Sequence, residues 1–285
     1  MAKTIDTLVA DIDALLENGT LTPDKVVLKE LGDAMASLLE KRLIEWATKR
    51  EPYLRMSMIG KKDASIWGAI KGAPEDQEKM NSATRMKFVY GDMVELVMLA
   101  FAQLSGHAVT ESQKTVEVEG IQGHIDCLID GELVDVKSAS EYTYPKFEDG
   151  SLYTSDNFGY VEQISGYAFA LQKTRAHFLA MDKSAGYFCL MTVPSEKLTD
   201  APKRIRYLKE MLAKDTPPNA LTCNNPCKVI TEGNGNKRLG SPCTYCPHPL
   251  KCHPEARVFQ YANNEKRVLL HVEKLPRVPE ITKTP

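Results

Sequence analysis

No apolar run in this chain of 285 residues approaches the ~18 residues a membrane-spanning helix needs, which excludes a spanning role. A strong charge of one sign is also missing. With 36 basic and 38 acidic residues the net charge is −2, so any surface for nucleic acid must be a local patch. The N-terminal Met-Ala-Lys-Thr-Ile-Asp lacks the basic-then-apolar layout of a secretory signal. Cysteine is scarce outside one segment: five of the seven fall between Cys223 and Cys252. A secreted disulfide framework spreads its cysteines through a smaller domain, whereas clustering points to a metal site in a reducing compartment. The expected location is cytoplasmic.

What is present centres on Gly123-His-Ile-Asp126-Cys-Leu-Ile-Asp130-Gly131-Glu-Leu-Val-Asp135-Val-Lys137. Two apolar runs flank Asp130-Gly131, a strong signal for a hairpin turn. On these strands lie Asp126, Asp135 and Lys137. Charges among β-branched residues are costly to bury unless paired or bound to a metal. Asp135 and Lys137, two apart, share a face of their strand. With Asp126 across the hairpin they suit a hard divalent cation; a surface hairpin with a cross-strand ion pair serves these residues equally well.

Residues 1–50 read as a helical region packing on a core, with Ile5, Leu8, Val9, Ile12, Leu15 and Leu16 on one face and a second helix from Pro23. Residues 51–214 read as a mixed α/β core: helix, strand, hairpin, helix, strand, strand. Its first helix spans 82–105 and carries Glu95 inside an apolar run. Residues 109–118 read as one kinked strand leading into the hairpin. After Lys137 comes a loop of about 20 residues without a clear element, a feature often functional. Its Tyr142, Tyr144, Phe147 and Tyr153 suit stacking on unpaired bases or local packing alike. A helix over 156–171 places Tyr160, Gln163 and Tyr167 on one face. Lys203, Arg204, Arg206 and Lys209 on a later helix, and Arg55 to Lys62 in an early loop, are candidate phosphate contacts. Residues 215–285 are rich in Pro, Gly, Asn and Cys. They read as too polar to fold by burial and as fixed by their cysteines, with one strand over 267–272.

Taken in order, Glu95, Asp126, Asp135-Val-Lys137 and Gln163-x-x-x-Tyr167 resemble the PD-(D/E)XK nuclease superfamily, in its RecB-like exonuclease branch, over residues 54–193. Arg55-x-Ser57-x-Ile59-Gly60, Gly123-His-Ile-Asp126 and Phe158-Gly-Tyr160-x-x-Gln163 are similar to phage exonucleases related to CRISPR-associated RecB-like nucleases. The resemblance implies a restriction-endonuclease-like fold, a central mixed sheet flanked by helices, and metal-dependent hydrolysis of DNA phosphodiester bonds in phage DNA recombination, processing or degradation. It implies that Asp126, Asp135, the Val136 carbonyl and Glu95 hold Mg²⁺ or Mn²⁺. Lys137 would orient water or neutralise phosphate charge, and Gln163 and Tyr167 would position these groups. Arg55, Ser57, Lys61 and Tyr160 would meet DNA. The implied partners are linear DNA and a single-strand-binding or annealing protein, in the host cytoplasm for a phage-encoded enzyme.

Iron–sulfur members of the branch carry C-x2-C-x5-C near the C-terminus, which Cys243, Cys246 and Cys252 reproduce. Their fourth cysteine precedes the core, where this chain has none. Cys227, with Cys223 as the alternative, is the expected fourth ligand of a [4Fe–4S] cluster, or of Zn²⁺. Two other functional readings use the same residues: a structure-specific endonuclease, and a non-catalytic zinc-containing nucleic-acid-binding protein.

Overall fold

The chain is described from a computed structural model covering residues 3–48, 51–72, 81–218, 228–240, 243, 246, 249–262 and 265–281. Helix α1 (Leu8–Asn18) follows a short 3-10 turn and ends at Gly19, whose φ of 64° suits a residue without Cβ. Asp24 caps α2 (Lys25–Ala47) by accepting from the Val26 and Val27 amides. Helix α3 spans Asp63–Lys71, and α4 spans Ser82–Leu104 with Asn81 as its cap. Arg42 of α2 donates from Nε to Asp92 of α4 at 2.7 Å, joining the two helices.

Seven strands follow in the core: β1 (Val109–Thr110), β2 (Thr115–Val118), β3 (Ile121–His124), β4 (Cys127–Ile129), β5 (Glu132–Ala139), β6 (Ala176–Asp182) and β7 (Phe188–Val193). The main sheet has the order β1-β4-β5-β6-β7, with β5 and β6 parallel and the other pairs antiparallel. The β5–β6 crossover carries α5 (Tyr144–Glu148), α6 (Leu152–Ser155) and α7 (Tyr160–Ala170). Both faces of β5 are covered, which explains its near-continuous apolar sequence. Leu133 joins Met56, Ile59, Ile125, Ile164, Tyr167 and Phe178 on one side. Val134 and Val136 join Leu8, Ile12, Val94, Met98 and Leu179 on the other. The fold is thus a mixed α/β sandwich of helices about a central mixed sheet, and α1 packs on the core as its periodicity predicts.

The Asp130–Gly131 turn forms as expected. Both residues have positive φ (51° and 80°) and Ile129 pairs with Glu132, the geometry of a two-residue type I′ hairpin. Asp130 does more than turn the chain. Its Oδ2 lies 2.7 Å from Nδ1 of the buried His107, whose Nε2 lies 3.2 Å from Asp11 of α1.

Three expectations are corrected. Residues 109–118 are not one kinked strand: β1 pairs in the main sheet, whereas β2 turns at Glu119 and Gly120, both at positive φ, and pairs with β3 in a separate two-stranded sheet. The long loop after β5 is not structureless. Tyr144, Phe147 and Leu152 are buried by α5 and α6, and the Tyr153 hydroxyl donates to the Thr192 carbonyl at 2.7 Å. Of its four aromatics only Tyr142 stands exposed. The tail, beyond α8 (Ala201–Leu212), does bury a small core: β8 (Val229–Thr231), β9 (Lys237–Leu239), β10 (Arg257–Gln260) and β11 (Lys266–His271) pair in the order β10-β11-β9-β8, with α9 (Pro249–Cys252) beside them. Leu239, Cys243, Ala256 and Val268 fill its centre. Among the described residues no helix is long and apolar enough to cross a membrane.

Candidate active site

Strand β4 pairs with β5 only as far as Cys127–Val134. Beyond that point the edge of β5 has lost its neighbour, and the Val136 N–H would be left unbonded. Asp126, one residue before β4, fills the gap: its Oδ2 accepts the Val136 N–H at 2.7 Å. A carboxylate thereby replaces the missing strand carbonyl. Because the N–H and C=O of one strand residue point to the same side, the Val136 carbonyl opens into the same gap.

Asp135 and Lys137, alternating with Val134 and Val136, face α7. Asp135 is 1 % exposed. Lys137 Nζ stands against Asp135 Oδ2 as an ion pair. Lys137 Nζ also lies 5.0 Å from the centroid of the Tyr160 ring, a cation–π contact. Tyr160 is held in turn by Phe158 and Phe147, at centroid distances of 5.5 and 6.1 Å. Glu95 reaches the cluster from α4 on the other face of the sheet, and Gln113 Nε2 donates to its Oε1 at 3.0 Å.

The electrostatics show three acids crowding one base. Burial pushes Asp126 well up, and the Asp135 and Glu95 charges push it further. Burial and the Asp135 charge raise Glu95 to about 7. Burial works against the Lys137 charge, yet Asp135 and Asp126 outweigh it and raise its pKa, so the ammonium persists. A divalent cation would relieve this surplus of negative charge, and hard carboxylate oxygens with one backbone carbonyl are the donors Mg²⁺ and Mn²⁺ prefer. The buried Asp135 carboxylate and the raised acids therefore fit such an ion chemically. Among the described residues no three His, Cys, Asp or Glu side chains are already arranged to hold a metal.

Behind the acids, α7 begins where Asp156 accepts from the amides of Phe158, Gly159 and Val161. Gln163 Nε2 donates to the Tyr167 hydroxyl at 3.4 Å, and burial raises the Tyr167 pKa. The glycines quoted in the sequence patterns mark close approaches. A Cβ on Gly123 would lie 2.7 Å from Tyr167 Cε1, and one on Gly60 would overlap the backbone of Gly159. Thus the 55–61 loop is locked onto β3 and the start of α7, with Arg55, Ser57 and Lys61 exposed on its outer side. Neither Arg55 nor Lys61 has an ion-pair partner among the described residues; Arg55 lies over the Tyr53 ring. His124 is exposed and bonded to Thr115, a structural contact.

Helix α8 braces the 55–61 loop and the β2–β3 turn through Arg204, Arg206 and Lys209, and Lys203 is exposed. Arg204 donates to the Ile59 carbonyl at 2.8 Å and pairs with the fully buried Asp63 at 2.7 Å, which also accepts from Tyr207. Arg206 pairs with the Glu119 carboxylate, and Lys209 donates to the Glu119 carbonyl.

In the tail, Cys243 is buried, Cys246 and Cys252 are half-buried, and the Cys246 amide donates to the Cys243 carbonyl. Cys223 and Cys227 lie outside the described residues.

No protein-family model and no curated protein matches the chain. Among solved structures it is similar to an alkaline exonuclease, LHK-Exo, from Laribacter hongkongensis, at 14 % identity and TM-score 0.40, covering 59 % of this chain and 94 % of that one. It is also similar to the protein SSO0001, at 15 % identity and TM-score 0.43, covering 77 % and 95 %. A phage-related exonuclease from Haemophilus somnus 129PT matches at 14 % identity and TM-score 0.29, covering 76 % and 97 %. At such distances the chemistry has to be argued from the side chains.

Proposed function

We propose that the protein is a metal-dependent DNA exonuclease of the PD-(D/E)XK superfamily, in its RecB-like branch. One observation carries the reading: buried Asp135 and half-buried Lys137 stand side by side on β5 beside the gap where β4 leaves it, with Asp126 and Glu95 brought in from two other elements. Asp126, Asp135, Glu95 and the Val136 carbonyl would hold Mg²⁺ or Mn²⁺. When bound, the ion would polarise the scissile phosphate and lower the pKa of a coordinated water. Lys137 would orient the attacking water or neutralise charge developing on the phosphate. Tyr160 and Asp135 hold that ammonium in place. Gln163 and Tyr167 support the acids from behind, and Arg55, Ser57 and Lys61 supply an accessible contact for the DNA backbone.

For the tail, Cys243, Cys246, Cys252 and either Cys227 or Cys223 would hold a [4Fe–4S] cluster or Zn²⁺. Iron and zinc analysis of anaerobically purified protein tests it.

The nuclease reading is tested with end-labelled linear DNA and covalently closed circular DNA of the same sequence, in Mg²⁺. Linear DNA should be degraded and circular DNA spared, and Lys137→Ala should abolish the reaction while leaving the far-ultraviolet circular dichroism unchanged. Full activity in that variant, or equal cutting of closed circles, sinks the corresponding part of the assignment.

A further inference from the structure

The link between β1 and β2 is unusual in its backbone. Glu111 and Gln113 both lie in the left-handed region, at φ 56° and 55°, where a residue with a Cβ is disfavoured. Glycine would serve the backbone of Gln113 better. From this loop Gln113 touches the site twice. Its side-chain Nε2 donates to Glu95 Oε1 at 3.0 Å, and its backbone N–H donates to the Asp126 carbonyl at 3.0 Å. Next to it, the Lys114 carbonyl accepts the Ile125 N–H at 3.1 Å, tying the same loop to the approach of β4. Glu95 belongs to α4 and Asp126 to the start of β4, so one residue spans two acids that no other single residue joins by hydrogen bonds among those described. Gln113 is also the side-chain hydrogen-bond donor that Glu95 has there.

We propose that Gln113 is a positioning residue for the acidic cluster. Its amide occupies Oε1 of Glu95 and leaves Oε2 for a cation, while its main chain fixes the distance from Glu95 to Asp126. The strained backbone follows from this double duty, because the amide must reach α4 while the N–H points at Asp126. The inference rests on the nuclease reading, and its test separates the two.

Gln113→Gly removes the amide and relieves the backbone, so its unfolding midpoint should equal or exceed that of the wild type. Mn²⁺ titration of the DNA-free protein, followed by the electron paramagnetic resonance of free Mn²⁺, should show affinity lowered by about tenfold or more, as expected when a group that orients a ligand is lost. Turnover of linear DNA should fall with little change in KM for DNA. Gln113→Ala should weaken Mn²⁺ to the same degree while keeping the backbone strain. Wild-type Mn²⁺ affinity in both variants overturns the inference and leaves the nuclease reading standing. A fall in affinity that tracks a fall in the unfolding midpoint assigns Gln113 to folding alone and overturns it too. A wild-type protein without metal-dependent nuclease activity fails the nuclease reading itself, whatever Gln113 does.

Discussion

The Val136 amide donates to the Asp126 carboxylate at 2.7 Å, so a side chain completes the edge of β5 where strand β4 has ended. An asparagine at position 126 can still accept that hydrogen bond through its side-chain carbonyl, but it carries no charge. Asp126→Asn should therefore keep the fold, and lose activity by a factor on the order of 10²–10³ or more. Single-turnover digestion beside a thermal melt checks this; an unchanged rate removes Asp126 from the chemistry.

Divalent cations should stabilise the protein before any substrate is added. Binding to the folded state alone adds RT ln(1 + [L]/Kd), about 2.7 kcal/mol at a hundredfold excess over Kd. The melting temperature should rise with Mn²⁺ or Mg²⁺ and return to its starting value in EDTA. Asp135→Asn should abolish most of the rise. A melting temperature indifferent to both ions contradicts the assigned ligands.

The acids should also make the metal-free protein sensitive to alkali. In the fold Glu95 is raised from the usual carboxylate range to about 7, and Asp126 is raised as well, burial being the largest cause for both. Such groups favour the protonated folded state, so their stabilising effect is complete below their unfolded values and is lost as pH rises through the folded ones. In EDTA the urea midpoint should fall between pH ~5 and ~8, with a slope of at most about 1.4 kcal/mol per pH unit for each proton released. Glu95→Gln should flatten part of that slope. A midpoint that rises across this interval refutes the electrostatic account.

Gly60 and Gly159 touch backbone to backbone, and Gly159 has φ 77°. Alanine at 159 meets both the overlap and the left-handed penalty of roughly 1–2 kcal/mol. Gly159→Ala should lose at least about 2 kcal/mol in chemical denaturation. It should also weaken DNA binding, because the 55–61 loop would shift. Alanine at the exposed turn residue Gly19, around which a Cβ meets nothing within 4 Å, should incur only the backbone penalty.

The hairpin and its acids were legible because charged residues stood out on apolar strands and Asp130–Gly131 is a strong local turn signal. The Gln163–Tyr167 face was legible from helical spacing. What was not legible depended on distant partners. Arg204 reads as a free cation until Asp63, far along the chain, is packed beneath it. Tyr144 and Phe147 read as loop aromatics until the sheet covers them. Glu119–Gly120 is a weaker turn signal than Asp–Gly, and nothing local separates β1 from β2, so 109–118 reads as one strand until the sheet pairing divides it. Gln113 carried no signal beyond a polar residue in a loop; only its backbone angle and its reach to Glu95 single it out.

The type I′ turn at Asp130–Gly131 makes strand register and assembly of the acidic cluster the same event. A slip of one residue in β5 against β4 would turn Asp135 and Lys137 toward α4 and withdraw the Val136 amide from Asp126. The alignment of Asp126 with β5 is therefore decided locally, by a turn that closes within two residues.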